Sequence, residues 1–210
     1  ASASTTYDAK IAGFDKLTVG AAAAGGTIDL DNLDNLNELT LGAVTAGQTL
    51  AFTNAATGLK LTTPTSGGTV TVAQKDAAGT SDTASVTVSA TTAQTVNALT
   101  LTGYEALTFN TSRSTATTAI NHVLTTLTAA DATSIVVTGS AGLTLGNGFA
   151  GVKLTSYDAS GVTGTAPGAV TYTTAALTTA ATIKGGAGND ILIGGAARTG
   201  DRARGRVLRL

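Results

Sequence analysis

Three stretches align without a gap: Ile11-Ala-Gly-Phe-Asp-Lys-Leu-Thr-Val-Gly20, Leu33-Asp-Asn-Leu-Asn-Glu-Leu-Thr-Leu-Gly42 and Leu101-Thr-Gly-Tyr-Glu-Ala-Leu-Thr-Phe-Asn110. Each reads as a turn at Gly or Asn that feeds a short strand, closing on Leu-Thr-apolar. In a strand successive side chains face opposite ways, so Leu17 and Val19, Leu39 and Leu41, and Leu107 and Phe109 are expected to point inward, with the Thr between them outward. Phe149-Ala-Gly-Val-Lys-Leu-Thr-Ser156 is a shorter relative. The first two copies start 22 residues apart, and the third starts 68 residues after the second, close to three such periods.

Between the copies lie further short alternating runs: Thr49–Phe52, Leu59–Leu61, Val70–Val72, Val86–Val88, Leu99–Leu101, Ile135–Val137 and Leu143–Leu145. Gly, Asn, Asp, Ser or Thr clusters bound them, the usual strand punctuation. A period near 20 with strands of three to five residues suits one coil of a β-solenoid, whose stacked coils bury a ladder that no single coil could bury alone. The expected fold is therefore all-β, a parallel β-solenoid of the β-helix or β-roll kind. A β-sandwich also has short strands and frequent turns; the recurrent Leu-Thr-apolar unit favours the solenoid. Ala116–Ala130, with Ile120, Val123, Leu124 and Leu127, has the spacing of an amphipathic helix, but its Thr content argues against one.

The composition agrees. Of 210 residues, 42% are hydrophobic, 12% charged and 4% aromatic, the reverse of the balance in disordered chains. With no Cys, disulfide, zinc-thiolate and thiol-nucleophile chemistry fall together. With no Met, the chain reads as a processed product or an excised fragment. No run approaches the ~18 apolar residues of a transmembrane segment. Residues 1–197 hold 7 basic and 12 acidic side chains, a net of −5, while five of the six arginines fall at 198–209. Such a basic tail could meet nucleic acid, but no aromatic interleaving or basic face supports that partner.

The most specific motif is Gly185-Gly-Ala-Gly-Asn-Asp190-Ile-Leu-Ile193, followed by Gly194-Gly195. It matches the calcium-binding nonapeptide G-G-x-G-x-D-x-U-x in full. Glycines let the turn aim carbonyl oxygens at an ion, Asp190 supplies charge, and Leu192 is expected to point inward. Calcium takes six to eight oxygens, so neighbouring turns must share each ion. The next repeat fails here, with Ala197 and Thr199 where Gly and Asp are required. The candidate ligands are Gly185, Gly186, Ala187, Gly188, Asn189 and Asp190. A second acidic cluster, Asp29, Asp31 and Asp34 with Glu38 nearby, places Asp29 and Asp31 on one strand face and Asp34 beyond a turn; it could bind calcium between coils or be a solvated turn. Gly146-Asn-Gly-Phe-Ala-Gly151 spells G-x-G-x-x-G, but strand-like Val152-Lys-Leu154 follows where a dinucleotide site needs a helix, so it reads as a turn.

Nothing points to catalysis. His122 is the sole histidine and reads as a surface residue, and neither a two-histidine zinc motif nor a G-x-S-x-G elbow is present. Two carboxylates meeting in space, as in glycan-cleaving enzymes, stay open.

At Gly185–Gly195 the chain resembles the RTX (hemolysin-type calcium-binding) family. Upstream, the Thr/Ala-rich solenoid and Tyr157-Asp-Ala-Ser-Gly161 look like S-layer proteins of Gram-negative bacteria, of the Caulobacter type. The resemblance implies calcium as cofactor, type I secretion to the bacterial cell surface, and self-assembly into a lattice or fibre, with surface polysaccharide as a further partner. It divides the chain into a solenoid at 1–183, a single RTX nonapeptide at 184–195 and a truncated or disordered basic tail at 196–210. The expected function is a secreted, non-enzymatic S-layer or adhesin-like protein. Two alternatives are the calcium-binding accessory region of a secreted RTX enzyme and an ice-binding β-solenoid. For the last, Thr69-Val-Thr71 and Thr100-Leu-Thr102 fit locally, and a regular array of outward Thr would be required.

Overall fold

A computed structural model describes residues 13–21, 24–33, 36–63, 66–113, 119–146, 149, 151–164, 170–174 and 176–193. The described strands are β1 (Lys16–Val19), β2 (Gly26–Asp29), β3 (Glu38–Leu41), β4 (Thr49–Ala55), β5 (Leu59–Thr62), β6 (Ser66–Gln74), β7 (Thr83–Ala90) and β8 (Thr95–Thr102). They continue as β9 (Ala106–Arg113), β10 (Asn121–Thr128), β11 (Ser134–Gly139), β12 (Gly142–Leu145), β13 (Ser156–Val162), β14 (Val170–Thr173), β15 (Thr182–Lys184) and β16 (Ile191–Ile193). Among the described residues the helical content is one 3-10 turn, Leu30–Asn32.

Odd-numbered strands form one eight-stranded sheet and even-numbered strands form another, each in chain order. Neighbours pair in parallel throughout, as in β3 with β5 and β8 with β10. The chain thus alternates between two sheets, and two strands with two corners make one coil of a parallel β-solenoid. The expected fold is the observed one. A sandwich would have joined antiparallel neighbours by hairpins.

The core follows from parity. Leu17, Leu39, Leu61, Val86, Phe109 and Val137 lie in register along the odd sheet. Facing them, Ile28, Phe52, Val72 and Leu101 stack along the even sheet. Leu39, Leu41, Leu107 and Phe109 are buried as expected, while Leu17 and Val19 are half-buried against the core. The last two belong to β1, the edge strand, which has a neighbour on one side only.

Coil length is less regular than the repeats suggest. The steps Leu39 to Leu61, Leu61 to Val86 and Val86 to Phe109 are 22, 25 and 23 residues. Phe109, not Leu107, therefore shares the column of Leu39, two residues away from the gap-free alignment. Two is one full pleat period, so the slip moves residues along the sheet without turning them out.

The helical spacing at Ala116–Ala130 is a strand feature. Leu124 and Leu127 of β10 are both buried, with Thr125 and Thr126 half-exposed between them. The preceding coil does the same: Leu124 pairs with Val96 and Leu127 with Leu99, leaving an extra residue in each strand. A matched irregularity in adjacent coils thus mimics an i, i+3 pattern. The shorter repeat relative also differs. Leu154 is buried, but Val152 and Lys153 form a turn and β13 starts only at Ser156.

Corners are tied to the coil before them by Thr hydroxyls. Thr133 Oγ1 donates to the Glu105 carbonyl (3.2 Å), Thr155 Oγ1 to Thr133 (3.0 Å), Thr163 Oγ1 to Gly139 (3.2 Å) and Thr178 Oγ1 to Val152 (2.9 Å). Short polar side chains that bond to nearby backbone suit such positions.

Candidate functional site

The glycine-rich nonapeptide forms the corner between β15 and β16 and the strand that follows. β16 pairs with β14, Tyr172 opposite Leu192, and Leu192 is buried as its motif position requires. Each of three glycines has a separate physical reason. At Gly188 φ is +96°, a conformation that side chains disfavour. A Cβ at Gly186 would lie 2.8 Å from Val162 Cβ and 2.9 Å from the carbonyl oxygens of Ala159 and Val162. This backbone therefore lies directly on the preceding coil, and the Ala187 N–H donates to the Val162 carbonyl (2.9 Å). At Gly185 a Cβ would overlap the Asp190 carboxylate.

Asp190 turns inward. It is 2% exposed, and its Oδ1 accepts a 3.0 Å hydrogen bond from the Val170 N–H at the start of β14. Its Oδ2 is buried with no hydrogen-bond partner. Buried charge without compensation is costly, so this oxygen is the one group in the corner that calls for a cation or a proton. Ala187, Gly188 and Asn189 are exposed beside it.

Two residues that the motif does not include complete this end of the core. Tyr157 and Tyr172 stack with ring centroids 4.0 Å apart and planes 2° from parallel. Both hydroxyls are buried without a hydrogen-bond partner. Burial pushes the Tyr157 phenol well above its ordinary range, helped by Tyr172 and by the charge of Asp190. Burial does the same at Tyr172. The tyrosines were visible in the sequence only as alternating apolar positions, because the partner that makes them part of a site lies about 20 or 30 residues further along.

The corner fits calcium in part. Asp190 Oδ2 and the backbone carbonyls of Gly185–Asn189 are the groups that would hold the ion, whose charge would neutralise the buried carboxylate. No cluster of three or more His, Cys, Asp or Glu side chains suited to a metal occurs among the described residues. The remaining oxygens would have to come from water, from residues beyond the described set or from another chain.

The second acidic cluster has a different geometry from the expected one. Asp29 ends β2, whereas Asp31 lies in the 3-10 turn, so the two do not share a strand face. Asp29 caps that turn, its Oδ1 accepting from the Asp31 N–H (3.1 Å) and from Asn54 Nδ2 (2.8 Å). Asp31 forms an ion pair with Lys75. Asp34 lies outside the described residues. β2 and β16 are opposite edges of the even sheet, so seven strand spacings, roughly 33 Å, separate this cluster from Asp190. The two cannot share an ion.

His122 is a core residue, not a surface one. It is 1% exposed, its Nδ1 accepts from the Gln94 N–H (3.1 Å), and its Nε2 lies 3.1 Å from the Ser112 carbonyl oxygen, to which it donates. A neutral imidazole with both nitrogens satisfied is readily buried. Thr63, Val86, Val88, Val96 and Phe109 line the space around it, with no charged group among them. Burial lowers its pKa below the ordinary 6.5, against a smaller opposing effect of the Ser112 carbonyl. Below pH 6.5 the unfolded chain then takes up a proton that the native protein refuses. Stability should fall as pH drops through that range, by at most about 1.4 kcal/mol per pH unit from this group. Urea midpoints at pH 7.5 and 5.5 check this, and the pH-dependent loss should shrink in His122→Gln.

A polar groove at the opposite corner is lined by Gly79, Thr80, Glu105, Asp131, Thr133 and Lys153. Its carboxylates are engaged: Glu105 Oε2 accepts from the Asp82 N–H (2.8 Å), and Asp131 accepts from the Gly103 N–H (3.2 Å) and Lys153 (2.9 Å). The Lys153 ammonium holds the Asp131 carboxyl below its usual range. These groups tie corners together. No helix among the described residues is long and apolar enough to cross a membrane. Compared with known proteins, the chain matches no protein-family model and no curated protein.

Proposed function

We propose that this chain is a structural protein of a bacterial cell surface, S-layer or adhesin-like, exported by type I secretion, that completes its folding and assembles with calcium. The observation that carries the reading is the buried Asp190 carboxylate, with one oxygen unsatisfied, inside a full nonapeptide corner on the last coil. That coil lies at the edge of both sheets. A sheet edge offers unpaired backbone groups to another strand, so the place where an ion would bind is also the place where another chain, or more of the same chain, would join. Calcium is scarce inside cells and plentiful outside, and a site built from parts that come together only on folding couples binding to folding. Assembly into a lattice or fibre would follow export, with surface polysaccharide as a candidate anchor.

Light scattering tests this on the wild type and Asp190→Ala, each with calcium and with a chelator. The wild type should form larger particles with calcium and lose them on chelation, while Asp190→Ala should stay small in both. If both proteins stay monomeric and equally folded with or without calcium, the reading is wrong.

A further inference from the structure

The two outer faces of the solenoid differ in kind. On the odd sheet, Lys16, Glu38, Lys60, Ser85, Thr108, Val136, Asp158 and Lys184 stand in one register row. Lys60 pairs with Glu38 (3.1 Å) and Lys184 with Asp158 (2.8 Å). Beside that charged row runs a row of Thr18, Thr40, Thr62 and Thr87.

On the even sheet the central strands carry two adjacent rows and no charge. One row is Thr49, Thr69, Ala98 and Thr126. The other is Thr27, Ala51, Thr71, Thr100 and Thr128. Both are exposed or half-exposed, and Thr occupies every position but Ala51 and Ala98. A third row, Ala73 and Thr102, continues the face without charge. Strand propensity alone would favour Thr equally on both sheets. The confinement of a doubled, charge-free Thr array to one sheet is what needs a reason.

We propose that this face binds ice. Parallel register sets the Thr side chains about 4.8 Å apart along a row, and the pleat sets neighbouring rows about 6.6 Å apart. These spacings are close to the repeats of oxygen atoms on a prism face of ice. Thr is stiff at χ1, so each hydroxyl and methyl recurs in the same pose from coil to coil. The hydroxyls can anchor first-shell water while the methyl groups hold it at lattice spacing. Ammonium groups bind water strongly in geometries of their own, which is why the row of Lys16, Lys60 and Lys184 makes the other face unsuitable.

The test is thermal hysteresis and ice partitioning of the whole chain, comparing wild type, Thr71→Tyr and Thr100→Tyr at the centre of the array, and Thr62→Tyr on the charged face. Far-UV spectra and melting temperatures confirm that each variant is folded. Wild type and Thr62→Tyr should separate freezing from melting, shape the crystals and enter the ice, and the two array variants should lose all three. The proposal is overturned if the wild type freezes at its melting point as rounded crystals and is excluded from growing ice. It is overturned equally if Thr71→Tyr and Thr100→Tyr behave as wild type. Sedimentation showing that this face pairs two copies, with no ice activity, also overturns it.

Discussion

Phe109→Ala is expected to destabilise the protein by about 3–5 kcal/mol, among the largest effects of any core truncation in the chain. Phe109 is 1% exposed and sits in register between Val86 and Val137, in the middle of the odd sheet. Its ring also borders the space around His122, together with Leu99 and Leu124 of the opposite sheet. Removing it strips contacts from both sheets at once. Strands pinned in register on both sides leave little room for collapse, which places the cost in the upper range for such changes. Val136→Ala is the control. Val136 is the next residue but one in the same sheet's outer row and is 40% exposed, so the change should fall within about 0.5 kcal/mol. Urea unfolding of the two variants beside wild type gives the comparison.

The second large effect is at Gly139, at the end of β11. Its φ is +127°, and a Cβ there would overlap the Thr111 carbonyl oxygen of the preceding coil. The surroundings cannot give way cheaply. Thr111 Oγ1 donates to the carbonyls of Thr138 (3.1 Å) and Ala141 (2.8 Å), and the Gly139 carbonyl accepts from the Thr163 N–H (2.8 Å). Gly139→Ala should therefore cost about 2–4 kcal/mol, by strain and lost corner hydrogen bonds together. Gly26→Ala, in an exposed strand with open space around the Cα, should change stability by less than about 0.5 kcal/mol. Thermal unfolding of both variants separates a glycine that the coil requires from one that it merely contains.

Much of the fold was legible because parity is robust. Leu39, Leu107 and Phe109 point inward whatever the coil length, and a two-residue slip such as the one at Phe109 leaves them there. Coil length was not legible, because corners absorb insertions without changing the strand pattern. The spacing of Leu124 and Leu127 shows the converse, where one extra residue inside a strand imitates a helix until its twin in β8 is seen. Burial of His122 was hidden for a related reason. Its partners, the Gln94 amide and the Ser112 carbonyl, are backbone groups that carry no sequence signal. At the nonapeptide the motif located the corner and the inward Leu192. It did not reveal that Asp190 would face the core beside Tyr157 and Tyr172, because their meeting depends on which coils are stacked. The Thr array shows the same limit: its spacing is irregular along the chain and regular only across the sheet.

The most direct measurement of the central claim is the melting temperature of the whole chain with calcium and with a chelator, for wild type and Asp190→Asn. Asparagine keeps the size of the side chain and an oxygen for the Val170 N–H but removes the charge that a cation would balance. Calcium should raise the melting temperature of the wild type progressively with concentration, as expected for a ligand of the native state, and leave Asp190→Asn unchanged. With chelator the variant should be as stable as the wild type or more so, since an uncompensated buried carboxylate is gone. A wild-type melting temperature that does not respond to calcium, or an equal response in Asp190→Asn, would contradict the account.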